Sequence, residues 1–402
     1  MTEAVTRAHR DEWARVVSAL TRRFGDLDVA EEAAAEAFAT AVERWPADGV
    51  PPNPGAWLTT TAQRKAVDRL RREAKRDDKH REALVVHEPQ PTGADGAIDD
   101  DRLRLLFTCC HPALAVQARV ALTLRLVGGL TVPEIARAFL VAESAVGQRI
   151  TRAKAKIKAA RVPYRVPSAE DLPARVSSVL TVLFLVFNEG YLATGTGPVR
   201  PDLTAEAIRL TRLLHALLPH DGEVTGLLAL MLLTEARRPA RVAGDELVPL
   251  DEQDRGAWDH ALIAEGHALV RERLAAGVAP GRYQVLAAIN AVHTSARHMH
   301  DTDWSQVLAL YDLLVRIDPS PVVALNRAVA VAELDGPEVA LAVVDRLEPE
   351  LAGYHAFHAT RADLLRRLGR RAESRAAYDR AVELTGNTAE IACLVRRRDQ
   401  RA

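Results

Sequence analysis

Cysteine is scarce in these 402 residues, with only Cys109, Cys110 and Cys393 present. Three thiols cannot build a disulfide framework, so a reducing, cytoplasmic setting is expected. The amino terminus lacks the apolar core of a signal peptide. The greasiest run, Val179 to Phe187, is too short to cross a bilayer and reads as a buried helix, so no membrane association is expected. Alternating strand patterns are missing, and helical periodicity dominates. No nucleophile–base pair, phosphate-binding loop or dinucleotide motif is found, so no catalytic residue and no cofactor are assigned and the chain is not expected to be an enzyme. Net charge is also close to nil, at −1.

That neutrality hides an uneven distribution. From Arg64 to Arg81 nine basic residues face four acidic ones, and from Arg149 to Arg165 there are seven basic residues and no acid. Two such local patches can face a polyanion whatever the overall charge. With 48% hydrophobic and 27% charged residues, the chain has the composition of a globular protein, and its length fits two to four domains. Helical patterning fills residues 1–84. Residues 85–101, rich in Pro, Gly and acids, read as a flexible linker, and a compact helical segment follows over 102–165. Three prolines in Val162–Pro173 mark the next boundary, followed by a helical stretch over 166–292.

Residues 293–402 carry a repeat. Tyr311-Asp312, Val344-Asp345 and Tyr378-Asp379 are spaced 33 and then 34 residues apart, and Arg327/Arg361 and Ala328/Ala362 match at 34. A period near 34 resembles the tetratricopeptide repeat, which stacks helix pairs into a surface for peptides or for another domain of the same chain.

The most informative stretch is Leu130–Ile157. Thr131 and Glu134 form a capping box that starts a helix, with Pro133 harmless in its first turn. Leu140 and Val141 make a turn, and a second helix starts near Glu143. Ala142 occupies its N-cap, where Ser would stabilise by about 1 kcal/mol. Val146, Ile150, Ala153 and Ile157 form one apolar stripe. The other face is expected to carry Ser144, Gly147, Gln148 and Thr151, flanked by Arg149, Arg152, Lys154 and Lys156. Small and amide side chains can reach base edges while the cations meet phosphates, which suits a helix-turn-helix in a major groove.

This stretch resembles region 4 of the extracytoplasmic-function sigma factors, a group of the bacterial sigma-70 family, with Arg149, Arg152, Ala153 and Lys154 matching the end of its second helix. That region reads the −35 element of a promoter. The resemblance therefore implies DNA contacts by Ser144, Gly147, Gln148, Arg149, Thr151, Arg152, Lys154 and Lys156. Upstream, Asp28–Trp45 is similar to the helix of region 2 that docks on bacterial core RNA polymerase, and Glu31, Glu32, Glu36 and Phe38 fall on its contact positions. Ala35 stands where that family often has Gln. Pro54–Arg76 resembles the helix that opens and reads the −10 element: Trp57 and Leu58 pack it, and Arg64, Lys65, Asp68, Arg69, Arg71 and Arg72 follow the DNA-facing positions. Promoter elements about 17 base pairs apart lie about 58 Å apart. An extended 17-residue linker reaches roughly 56–61 Å, and the resemblance implies that its acidic end, Asp99 to Asp101, occupies the polymerase's RNA channel.

The implied fold is all-α: a region 2 helical bundle, a flexible linker, a region 4 helix-turn-helix, and a large helical carboxy-terminal domain with tetratricopeptide-like repeats. Phe107–Leu114, Phe187–Tyr191 and Leu250–Asp259 resemble a subgroup that carries such an extension, for which a protein partner or an intramolecular role is expected. Core RNA polymerase and promoter DNA are the implied partners. A stand-alone helix-turn-helix regulator with a repeat sensor is the other reading, and it leaves the polymerase-docking match unexplained. Cys109, Cys110 and His111 have no CxxC partner, so they read as buried structure rather than a metal site. Glu189 reads as a polar cap on the helix over 176–187. His298 and His300, two apart, do not share one helical face.

Overall fold

A computed structural model describes residues 2–76, 96–139, 141–191, 201–244 and 246–400. The chain divides into two compact units, residues 1–185 and 186–402.

The first unit opens with three helices, α1 (Thr2–Phe24), α2 (Leu27–Asp48) and α3 (Pro54–Arg76). Gly25 turns the chain at φ +67°. Asp26 then caps α2 by accepting from the amides of Asp28 and Val29, which satisfies donors that the helix leaves unpaired. Asn53 does the same for α3 through the Ala56 amide, at 3.0 Å. Ala30, Ala33, Ala34, Ala37 and Ala41 are buried along α2; such small side chains let neighbouring helices approach closely. Trp13, Leu20, Phe38, Trp45 and Leu58 fill the space between.

Four further helices follow: α4 (Gly96–Cys109), α5 (Val116–Leu126), α6 (Val132–Ala138) and α7 (Glu143–Ala159). Their core is Leu105, Leu106, Phe107, Leu122, Leu124, Ile135 and Val146. Most of the expected linker, residues 85–95, lies outside the described residues, and α4 already begins at Gly96. Asp101 is therefore helical and 1% exposed. It pairs with Arg22 at 3.2 Å and with Arg104, and so belongs to a packed helix and not to the extended acidic end expected of the linker. Asp99 shares that helix.

α8 (Leu172–Tyr191) has 20 residues, longer than its greasiest run, and by length and composition it could cross a membrane. In the first unit its amino-terminal half is tied to α4 and the turn after it. Arg175 donates to the Phe107 carbonyl at 2.6 Å and Ser178 to that of Cys110 at 3.1 Å. Glu189 lies inside α8 rather than capping it, because the helix continues to Tyr191.

The second unit contains α9 (Pro201–Leu217), α10 (Gly222–Glu235), α11 (Arg238–Arg241), α12 (His260–Ala275) and α13 (Arg282–Ser295). A two-residue antiparallel ladder, β1 (Val242–Ala243) with β2 (Glu246–Leu247), is too short to show as alternation in sequence. α10 is buried from Val224 to Glu235. A Cβ added to Gly226 would meet the Gln284 backbone nitrogen at 2.5 Å, so glycine sets how closely α10 and α13 pack.

The repeat follows as α14 (Trp304–Ile317), α15 (Pro321–Leu334), α16 (Pro337–Asp345), the short α17 (Glu348–Leu351), α18 (His355–Arg367), α19 (Arg371–Leu384) and α20 (Thr388–Asp399). The aspartates that fixed the register each meet an arginine on the second helix of their own pair: Asp312 with Arg327 at 2.6 Å, Asp345 with Arg361 at 2.7 Å and Asp379 with Arg398 at 2.8 Å. Ala328, Ala362, Ala377 and Ala381 are buried between the helices.

Candidate nucleic-acid interface

The helix-turn-helix is built as its residues dictate. Thr131 accepts from the Glu134 amide and Glu134 accepts from that of Thr131, a complete capping box. The Val141 amide closes the turn on the Ala136 carbonyl at 3.1 Å, and Leu140 lies outside the described residues. α7 begins at Glu143, and Ala142 at its N-cap makes no side-chain cap bond. Val146, Ile150, Ala153 and Ile157 are buried. Ser144, Gln148, Thr151, Arg152 and Lys156 are exposed, with Gly147 and Arg149 half-buried. A Cβ at Gly147 would meet nothing within 4 Å, so packing inside the chain does not demand glycine there. Arg152 lies 3.3 Å from the Gln148 side-chain oxygen, which orients the amide.

Lys154 departs from the expected face. It follows Ile150 by four residues and so shares the inward stripe, and it is 9% exposed. Its ammonium donates to Asp28 at 2.7 Å and to Glu31. Glu31 is itself only 8% exposed and also binds Arg125. Two residues expected on separate partners, one on DNA and one on polymerase, thus meet each other across the unit. Burial would lower the Lys154 pKa, but the Glu31 charge and the hydrogen bonds to Asp28 and Glu31 outweigh it and raise it. Beside them Lys158 pairs with Asp26 at 3.1 Å. Burial works to raise the Asp26 carboxyl, yet Lys158 and the amides of Val29 and Asp28 hold it below its ordinary value.

The surrounding contact is close. A Cβ on Gly129, whose φ is +76°, would lie 2.9–3.1 Å from the rings of His9 and Trp13. Arg125 also donates to the Leu130 carbonyl at 2.9 Å and sits over the Trp13 ring at 5.8 Å. The Tyr164 hydroxyl is 3.0 Å from the carbonyls of both Ser18 and Asp101. Arg125 was missed in the sequence, although a lone cation inside the apolar run Val120–Val127 signals a paired buried charge.

Of the other acidic-helix positions, Glu32 pairs with Arg69, and Glu36 lies 3.8 Å from Lys65. Phe38 is 5% exposed and packs edge-on to His9 at 4.9 Å. It is a core residue here, because its helix face turns toward α1. On α3, Leu58 is fully buried and Trp57 meets Trp45 edge-to-face at 5.6 Å. Arg64, Asp68, Arg71 and Arg72 are exposed, and Arg72 also donates to the Asp68 carbonyl at 3.2 Å.

Cys109 and Cys110 are buried. Burial pushes the Cys110 thiol up to about 11 despite its hydrogen bond with Thr123. Among the described residues no group of three His, Cys, Asp or Glu is placed to hold a metal ion. His298 and His300 stack at 5.3 Å; the helical-face argument fails there because Met299–Asp301 is a tight 3-10 turn. In the Leu250–Asp259 segment, Asp251 and Glu252 are engaged by Arg397 and Arg396, Trp258 is 4% exposed beneath Arg255, and Asp259 caps α12.

Comparison with known proteins places three matches along the chain. Residues 10–76 match the family model of sigma-70 region 2, residues 104–157 that of sigma-70 region 4, and residues 175–274 a family of unknown function, DUF6596. An uncharacterized protein of Rhizobium meliloti (strain 1021) is 45% identical over 386 residues, covering 94% of this chain and 91% of that protein.

Proposed function

The chain belongs to the sigma-70 family, carrying regions 2 and 4 and a carboxy-terminal extension, and from that premise we propose that it is a promoter-specificity factor of the extracytoplasmic-function type. As an RNA polymerase sigma factor it has core polymerase and promoter DNA as partners. In this reading α2 docks on core polymerase, with Glu32 and Glu36 at the contact. α3 presents Arg64, Arg71 and Arg72 to the −10 element, and α7 enters the major groove at the −35 element. The tetratricopeptide-like helix pairs offer a surface to a protein partner and regulate the factor.

The observation that carries the reading is the one-sidedness of α7: an apolar stripe held inside, and Ser144, Gln148, Thr151, Arg152 and Lys156 outside. Amide and hydroxyl groups near the start of a groove-bound helix read base edges, and the cations after them fix its register on phosphates.

The test is promoter binding with and without core polymerase, followed by run-off transcription. Promoter-specific initiation by core enzyme plus this chain is the expected result; tight sequence-specific binding by the chain alone, with no initiation, would overturn it. Within the holoenzyme, Gln148→Ala is expected to relax selection at one base pair by about 1–3 kcal/mol. Arg152→Ala should weaken all sequences alike and lower the salt slope by about one. Selection profiles and salt titrations of the two variants separate these effects.

A further inference from the structure

We infer that the second unit holds a binding site for a small carboxylic acid whose apolar body is about the size of one six-membered ring. The site is a cavity of about 140 Å³ walled by α10, α12, α13 and α14. α10 and nearly all of α12 lie in the stretch matched to the family of unknown function, and the inference stands independently of the promoter-specificity reading. The cavity follows from where small side chains fall. Gly226 and Ala229 face it from α10 and Ala287 and Ala288 from α13, while Leu310 and Leu313 border it from α14. Apart from Arg273 and Gln284, every lining residue is apolar. Leu274 and Val278, 71% and 64% exposed, bring the lining out to the surface. An apolar cavity of about 150 Å³ accepts benzene, so the volume sets the ligand's body at about one ring, which would give the lining dispersion contacts.

The cation sets the chemistry. Arg273 lines the cavity, is half-buried, and donates from Nε to the Gln284 Oε1 at 3.3 Å. Among the described residues no carboxylate pairs with it, and its two terminal nitrogens make no hydrogen bond within the chain. Glu223 is engaged elsewhere: it accepts from the backbone amides of Tyr283 and Gln284 at 3.1 and 3.3 Å, at the start of α13, and from the Gln284 side chain at 3.4 Å. The Gln284 amide is thereby fixed with its oxygen toward Arg273. It holds the Nε edge of the guanidinium and leaves the outer fork to a ligand. That fork matches a carboxylate through two parallel hydrogen bonds. One cation and one amide in an apolar wall suit a singly charged carboxylate. A phosphate would leave its further oxygens against apolar side chains, which is costly.

Calorimetric titration of the full-length chain with phenylacetate, 2-phenylethanol and 2-phenylethylamine, alike in shape and different in charge, tests this directly. Phenylacetate should bind saturably at one site per chain. It should bind at least about 10-fold more tightly than the alcohol or the amine, the step that one charge-assisted pair supplies. Arg273→Gln should erase that preference, bringing phenylacetate down to the affinity of the alcohol and leaving the alcohol little changed. Ala288→Leu, which fills the cavity, should exclude all three. Thermal unfolding checks that each variant is folded; Arg273 makes no ion pair among the described residues, so its replacement keeps the test available if Ala288→Leu does not fold. Equal affinities for the three ligands, or a preference that survives Arg273→Gln, overturns the carboxylate assignment. No saturable binding at up to about 10 mM, where even a millimolar site fills, overturns the site itself. Each result is read from binding alone, so a failure of the chain to direct initiation leaves it standing.

Discussion

Glu31→Ala is expected to destabilise the first unit by about 3–5 kcal/mol, the usual result of stripping one partner from a buried ion pair. The substitution leaves Lys154, 9% exposed, with only Asp28, and leaves Arg125 without its carboxylate. Parting of the two bundles would rehydrate both cations and so limits the loss, which puts the expected value at the lower end. Urea unfolding followed by two probes, one in each bundle, reads both the loss and any separation into two transitions. A triple replacement by apolar side chains, Glu31→Leu with Lys154→Met and Arg125→Met, should recover most of the stability, since packed apolar groups often match a buried ionic cluster. An unchanged midpoint in Glu31→Ala would mean that the cluster contributes nothing. The sign of the pH dependence follows from the shifts. The Lys154 pKa is raised, so its contribution is complete below the ordinary lysine value and is lost as pH rises through the raised one. The Asp26 pKa is lowered, so its contribution is present above the ordinary aspartate value and is lost as pH falls through the lowered one. The interface should thus be firmest between roughly pH 4 and pH 10.

What the sequence disclosed and what it withheld divide along a physical line. Period and capping are local, and they were legible: the box at Thr131 and Glu134, the bare cap at Ala142, the stripe from Val146 to Ile157 and the near-34 register of the last helices all recur in the structure. The register even has a cause in the Asp–Arg pairs that repeat with it. Pairing across the chain is not local. Lys154 and Glu31 are 123 residues apart, and nothing in either helix says that they meet. Spacing alone did place Lys154 four after Ile150, yet its charge argued for the outside. Burial can overrule charge only when a partner is waiting, and the partner is invisible in one dimension. Asp101 fails in the same way: read as part of an extended acidic tail, it is a helical residue held by Arg22 and Arg104. Phe38 shows the converse, a residue assigned to a partner surface that its own bundle buries against His9 and Trp13.

Removing Arg64, Arg71 and Arg72 together by alanine is expected to have the largest effect on initiation while leaving the fold nearly untouched. All three are exposed, and exposed substitutions usually shift stability by no more than about 0.5 kcal/mol. If each neutralises one phosphate of promoter duplex, the slope of log affinity against log salt should fall by about 2–3. Between 50 and 200 mM salt the parent holoenzyme should then lose about 40-fold more affinity than the variant. Salt titrations of promoter complexes, with run-off transcription at fixed salt, measure both. Lys65→Ala and Arg69→Ala provide the contrast. Those cations already face Glu36 and Glu32, so DNA must first win them from α2, and their net contribution per charge should be smaller. Equal slopes for the two sets would mean that α2 does not compete with DNA for α3, and unchanged slopes in both would remove α3 from the promoter contact.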